Sequence, residues 1–350
     1  MDNPGTSMED VPTPERKRTE LTRRTLLKTG AGVAGISFAG CSSLTGGDGT
    51  TELRLGHAVP PDVLHGAMAN VFIDRVDELS GGDVQIEEFP NGELGTPVEM
   101  SESTSAGDLD MTAVPAGPIF DDARILNYPY LFDSHRQKAE VTDETQSDVM
   151  RDLIQRAKEE ANVRILAHHS YDTRNINLLE PITSPSGMEG RTLRTPEQAI
   201  FREPIRALGA STTALPQSEL PTALETGSVE GHDTGIIVFW AFGLEELHSH
   251  TMMTEHMIQG DELMINADTW DGLDSEEQDW LLEAARDAKS ASVDRIEGEL
   301  NQAVEEVGDA VEFIGADDGL EVDAFQSIIE DHLEEAFPEL QDLRQQFANV

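Results

Sequence analysis

The residues best equipped for chemistry in this chain are its arginines. In "GRTLRTP" (Gly190–Pro196) two of them, Arg191 and Arg194, sit in a short run that reads as a strand. Side chains alternate across a strand, so residues three apart point to opposite faces and only one of the pair can enter a given site. Arg194 stands at the strand's end, where open α/β sheets place ligands. A guanidinium there could clamp an anion, because its planar fork makes two charge-assisted hydrogen bonds to one carboxylate. A surface ion pair is the other use an acid-rich chain could make of it. Three histidines in "HSHTMMTEH" (His248, His250 and His256) invite a zinc reading, but H-x-H-x5-H fits no closed structural site. His168 and His169 end a strand-like run and face opposite ways, which makes them a poor ligand pair. Neutral core or surface histidines are the expectation for His248, His250 and His256. Hydrolytic and nucleotide chemistry lack their motifs, with no G-x-S-x-G, H-E-x-x-H or G-x-x-x-x-G-K-[ST] run.

Positioning such groups requires a layered fold. "ELRLGHAV" and "VQIEEF" alternate as strands, and "GAMANVFIDRVDELSGG" between them carries apolar residues at helical spacing, stopped by Gly81-Gly82. After the turn "PNGELG" come a short helix "PVEMSESTSAG" and a strand "LDMTAV". Helix "DVMRDLIQRAKEEAN" then leads into strands "VRILAHH", "RNINLL" and "GRTLRT", and helices "EQAIFREPIRALG" and "SELPTALETG" follow. A long helix is predicted to begin at Asp274 or Ser275, with Glu277 completing a cap. Strand and helix alternate without a solenoid-length repeat, so the fold class is an open α/β protein with a C-terminal helix.

Charge and composition bound the setting. The chain has 24 Lys and Arg against 68 Asp and Glu, a formal net charge of −44. Only Lys138, Lys158 and Lys289 are lysines after Cys41. The acids are spread along every segment, as on the lysine-poor, carboxylate-rich surfaces of extreme halophiles. At molar salt the Debye length is about 3 Å, which screens the self-repulsion. The same charge opposes binding to nucleic acid. The N-terminus reads as an export address. Basic residues flank a weakly apolar, glycine-rich run from Thr29 to Gly40, shorter than the roughly 20 apolar residues a membrane helix needs. Arg23-Arg24 with Leu26, Leu27 and Lys28 resembles a twin-arginine signal, and "FAGC" resembles a lipobox whose Cys41 takes a lipid after cleavage. The segment 42–51 then reads as a flexible tether. With Cys41, the sole cysteine, consumed, no thiol chemistry remains.

Several stretches in order resemble one family, the extracytoplasmic solute-binding proteins of tripartite ATP-independent periplasmic (TRAP) transporters. "FPNGELG", "GDLDM", "YPYLF", "GMEGRTLRTP", "RALGAS" and "LPQSELPTALETGSVEG" are similar to the family's "PNGQLG", "G-x-LDM", "LPFLF", "LKGLKIRVP" and "MPFSEVYTALQTGVVDG" regions. The resemblance runs from Leu53 to about Ala285. It implies a two-lobed clamp like other periplasmic binding proteins, with a long C-terminal connecting helix and a small organic acid held between the lobes. Expected boundaries are 52–171 plus 260–299 for lobe I and 172–259 plus 300–350 for lobe II.

The resemblance also assigns roles. Arg194 takes the carboxylate-clamp position, and Arg174 in "YDTRNINLL" matches a second family arginine 20 residues earlier. Where the family shows "VDGQENP" this chain has "VEGHDTG", which puts Thr234 at the ligand-contacting asparagine with His232 and Asp233 beside it. Gln217 replaces an aromatic that packs on the ligand. A hydroxyl cannot make the paired contact of an amide, so a more polar ligand end is expected, or contact through water or a cation held by Asp233. Apart from such a bridging cation no cofactor is expected. The implied partners are the small and large membrane subunits of a TRAP permease, at the extracytoplasmic face of the membrane. A sensor module for a signalling receptor, or an exported enzyme acting on carboxylates, are the competing classes.

Overall fold

A computed structural model of the chain describes residues 49–60, 64–308 and 310–350. Arg23, Arg24, Cys41 and nearly all of the tether fall outside the described residues.

The chain begins with strand β1 (Thr51–His57), helix α1 (Leu64–Ser80), strand β2 (Val84–Phe89), helix α2 (Pro97–Ala106) and strand β3 (Met111–Val114). Helices α3 (His135–Val141) and α4 (Asp148–Ala161) precede a 16-residue strand, β4 (Val163–Leu178). Next come β5 (Thr192–Thr195), α5 (Ala199–Ala207), β6 (Ser211–Ala214), α6 (Leu220–Glu225), β7 (Gly231–Gly235) and α7 (Ile236–Ala241). A 17-residue strand, β8 (His250–Asn266), returns the chain to the first half. The remainder is α8 (Ala267–Gly272), the 33-residue α9 (Ser275–Val307), β9 (Glu312–Ile314), α10 (Val322–Ala336) and α11 (Gln341–Ala348).

Local chemistry sets these boundaries. Asp274 accepts from the Glu276 and Glu277 N–H groups while Glu277 reaches back to the Asp274 N–H, so α9 starts where the capping box predicts. In α4, Met150, Leu153, Ile154, Ala157 and Ala161 are buried on one stripe, the Ser147 hydroxyl caps its start, and Asn162 ends it with a left-handed φ of 55°.

The strands form one sheet in the order β2-β1-β3-β8-β4-β7-β5-β6, with β9 added beside β8. On one side β2, β1 and β3 run parallel; on the other β7, β5 and β6 do the same. The long antiparallel pair β4 and β8 belongs to both halves and carries three register shifts, between Ile165 and Ala167, Ser170 and Asp172, and Arg174 and Ile176. Each half has its own apolar packing. Leu53, Phe72 and Val76 bury against Leu281 and Ala284 of α9 in the first; Leu220, Val229 and Phe239 bury against Val307 in the second. α9 therefore packs on both. This is the two-lobed α/β architecture with a long C-terminal helix. The runs "VRILAHH" and "RNINLL", read from sequence as separate strands, are one strand joined through Ser170–Thr173. Among the described residues no helix is long and apolar enough to cross a membrane.

Candidate functional site

The expected binding residues gather where β5 and β7 meet β4. Arg194 pairs in register with His232, and His232 with Asn177. Directly opposed residues share a face, so these three lie on one side of the sheet. Asp233 opposes Ile176, which puts it with Arg174 on the other side. The two arginines therefore approach from opposite faces rather than forming one fork.

Their surroundings differ as much as their directions. Arg174 is buried and fully engaged. Its Nη2 lies 2.9 Å from Asp233 Oδ1, its Nε donates to Asp233 Oδ2 at 3.1 Å, and its Nη1 donates to Gln259 Oε1 at 2.5 Å. Nη2 also donates to the Asp233 carbonyl, and the guanidinium lies over the Phe201 ring, 5.0 Å from its centroid. His256 Nε2 stands 3.9 Å from Asp233 Oδ2. The Asp233 charge is thus committed to Arg174, which leaves a poor ligand for a cation. Among the described residues no group of three His, Cys, Asp or Glu is placed to hold a metal ion.

Arg194 is only 4% exposed and makes no ion pair among the described residues; Asp233 acts on it only from beyond ion-pair distance and is itself paired with Arg174. Its Nε donates to the Leu215 carbonyl at 2.9 Å and its Nη1 to Gln217 Oε1 at 2.7 Å. Burial, with the positive charge of Arg174 nearby, lowers its pKa to about 10, so it stays cationic at neutral pH. Buried polar atoms with no protein hydrogen-bond partner include Gln217 Nε2, on the amide that accepts from Arg194, and His232 Nε2 and Thr234 Oγ1 on the same side of the sheet; Thr195 Oγ1, also unpartnered, lies on the Arg174 side. Left unmet, each would cost about 1–3 kcal/mol. A guanidinium with no ion pair of its own, beside neutral donors and acceptors, suits a ligand with one carboxylate and several hydroxyls. Arg191 is elsewhere, with its Nε donating to the Gly187 carbonyl just outside β5.

The "VEGHDTG" turn has its own steric logic. A Cβ at Gly235 would lie 2.0 Å from Asp172 Cγ, because Asp172 fills that space to accept the Val238 and Thr173 N–H groups. His232 stacks on His248 with ring centroids 4.9 Å apart and planes 11° from parallel, and Phe239 covers it at 5.7 Å. Burial drives His232 well below its ordinary range and His248 down to about 4, so both are neutral near pH 7. Sequence reasoning did not single out Gln259, which carries no motif, nor Thr195 and Asn177, which lie inside "GRTLRTP" and "YDTRNINLL" but gain polar neighbours only through strand register. It set His256 aside as a core or surface histidine. The chain bulges at 253–256, between the Ile176–Met252 and Arg174–Met257 pairs, and Glu255 at a φ of 46° turns His256 toward Asp233.

Residues 55–340 match the model of the bacterial extracellular solute-binding protein family 7. The chain belongs to this family. A solute-binding protein of Roseobacter denitrificans is 28% identical over 241 residues, which is 68% of this chain and 73% of that protein. Its crystal structure with bound L-galactonate superposes with a TM-score of 0.77 at 25% identity, covering 85% of this chain and 98% of that one. The ectoine-binding periplasmic protein TeaA of Halomonas elongata is 27% identical over 243 residues, 68% of this chain and 70% of TeaA. A TRAP periplasmic solute-binding protein of Chromohalobacter salexigens, solved with bound D-glucuronate, has the same fold at a TM-score of 0.77 and 24% identity, over 85% and 99% of the two chains. Family 7 members are solute receptors, and solute capture is the work this fold performs.

Proposed function

We propose that this family 7 protein captures a small polyhydroxy monocarboxylic acid, of the aldonic or uronic acid kind, and hands it to the small and large membrane subunits of a TRAP permease. The observation that carries the ligand class is the contrast between the arginines: Arg174 is paired directly with Asp233, whereas Arg194 is buried with no ion pair of its own. Arg194 takes the carboxylate. Gln217, Thr234 and His232 meet the hydroxyls with their unpartnered atoms. Arg174 and Asp233 hold the floor of the site as a pair, and no cation is required to bridge the acid. The bound sugar acids of the Roseobacter and Chromohalobacter proteins agree with this reading. Arg23-Arg24 directs export and Cys41 anchors the receptor by a lipid on the extracytoplasmic face, with 42–51 as the leash. The net charge of −44 suits a haloarchaeal type of surface working in concentrated salt.

The direct test is a thermal-shift screen in molar salt with aldonic, uronic, dicarboxylic and hydroxy acids. A ligand that binds only the folded state stabilises it by RT ln(1 + [L]/Kd). A shift with sugar monocarboxylates and none with C4-dicarboxylates is expected. The reverse order removes the ligand assignment, and no shift with any acid removes organic-acid binding altogether.

A further inference from the structure

Outside the binding residues, the most deeply buried acid with a defined geometry is Glu262 of β8. It is 0% exposed, opposite Val114 of β3 on one side and His168 of β4 on the other. Its Oε2 accepts the Ala116 N–H at 2.5 Å, and its Oε1 lies 2.7 Å from His168 Nδ1. Ala116 is the second residue beyond β3, so the carboxylate is spent on the loop that leaves that strand.

The same loop touches the other half of the molecule. A Cβ placed on Gly117 would lie 3.0 Å from Gln198 Oε1 and 3.0 Å from Arg124 Cγ. Gln198 is the residue before α5, four positions beyond Arg194 in the loop that leaves β5. The loops at the carboxyl ends of β3 and β5 therefore meet at Gly117 and Gln198. Crevices outside strand carboxyl ends are where open α/β sheets bind ligands.

We propose that Glu262 is a positioning residue for solute capture, fixing Ala116 and Gly117 against Gln198 so that the first lobe is preset for the closed, ligand-holding state. The proposal rests on the solute-binding reading above. Without the side-chain oxygens the loop would sample other positions, and the apparent affinity would fall with the fraction of molecules in the competent arrangement. Glutamine can preserve the anchor, since its carbonyl accepts from Ala116 and its amide donates to the other tautomer of His168.

Two measurements on the full folded chain in molar salt test this. Exchange of the Ala116 and Gly117 amide hydrogens, the two that lie between Pro115 and Pro118, should without ligand be at least tenfold faster in Glu262→Ala than in wild type, and unchanged in Glu262→Gln. Calorimetric titration with D-glucuronate and L-galactonate, well below each variant's Tm, should show Kd raised at least tenfold in Glu262→Ala and within threefold of wild type in Glu262→Gln. Gly117→Val, which keeps Glu262 but crowds Gln198, should also weaken binding. Unchanged exchange in Glu262→Ala overturns the anchor, and a lowered Tm with unchanged Kd reduces Glu262 to a purely structural group. Should Glu262→Ala not fold, a tenfold loss in Glu262→Gln or normal binding by Gly117→Val overturns the proposal. If wild type binds neither acid, the ligand reading fails, while the exchange result still decides the anchor.

Discussion

Arginine shows how far single residues could be read. Alternation and position along the strand favoured Arg194 over Arg191 as the clamp; in the structure Arg194 is buried within β5, while Arg191 lies just outside it on the Gly187 carbonyl. Arg194→Ala should abolish the ligand-induced thermal shift, and Arg191→Ala should leave it intact. The fate of Arg174 was not legible, because its partners depend on register: Asp233 is 59 positions away and Gln259 is 85. Breaking a buried pair from one side leaves the other charge uncompensated, at about 3–5 kcal/mol. Asp233→Ala should therefore lower the unfolding free energy by about that amount in denaturant titrations at molar salt. A loss below 1 kcal/mol would mean that water reaches Arg174.

At the scale of elements, strong periodicity and capping chemistry decided what could be foreseen. β2 occupies the alternating run "VQIEEF", and α9 begins beside Asp274 as its capping box indicated. Asp274→Ala should cost about 1 kcal/mol, the usual price of a lost N-cap, read as a small drop in Tm. β8 was not foreseen. Its sequence places Glu255, His256, Gln259, Asp261 and Glu262 in one strand, without alternation of apolar and polar positions. The strand is covered on both faces, and its polar groups are met by neighbours distant in sequence: Asn127 holds the Gly260 backbone from both sides, and Lys138 donates to the Ile258 carbonyl at 2.5 Å. A pattern rule built on half-buried strands cannot detect such a segment. Two of the three lysines after Cys41 share this setting: Lys138 and Lys289 are buried, and burial lowers them to about 7 and about 8.

The whole molecule couples its surface charge to salt and its buried histidines to acid. With a net charge of −44, transfer from molar to dilute salt should lower Tm as self-repulsion loses its screening. Acid acts through the interior. Burial places His135 and His248 at about 4, His169 at about 3, His168 and His232 well below the ordinary range, and His256 lower than usual. A base lowered on folding contributes stability above its unfolded pKa, which is lost as pH falls toward the folded value. Burial also raises Asp172 to about 7, Glu262 to about 8 and Asp261 well up, and these oppose the trend by taking protons in the folded state. Six histidines against three carboxyls leave a net uptake by the unfolded chain, so stability should fall as pH drops from about 6.5 toward 4.5. Flat stability across that window would show that the histidines are solvated. The proposed determinant of the ligand's charge is the Arg194 guanidinium, which has no ion pair of its own. Isothermal titration of wild type and Arg194→Ala with D-glucuronate, L-galactonate and succinate in molar salt tests it most directly. The sugar acids should bind wild type, succinate should bind far more weakly, and Arg194→Ala should bind none of them. Equal binding by wild type and Arg194→Ala, or a preference for succinate, would contradict the account.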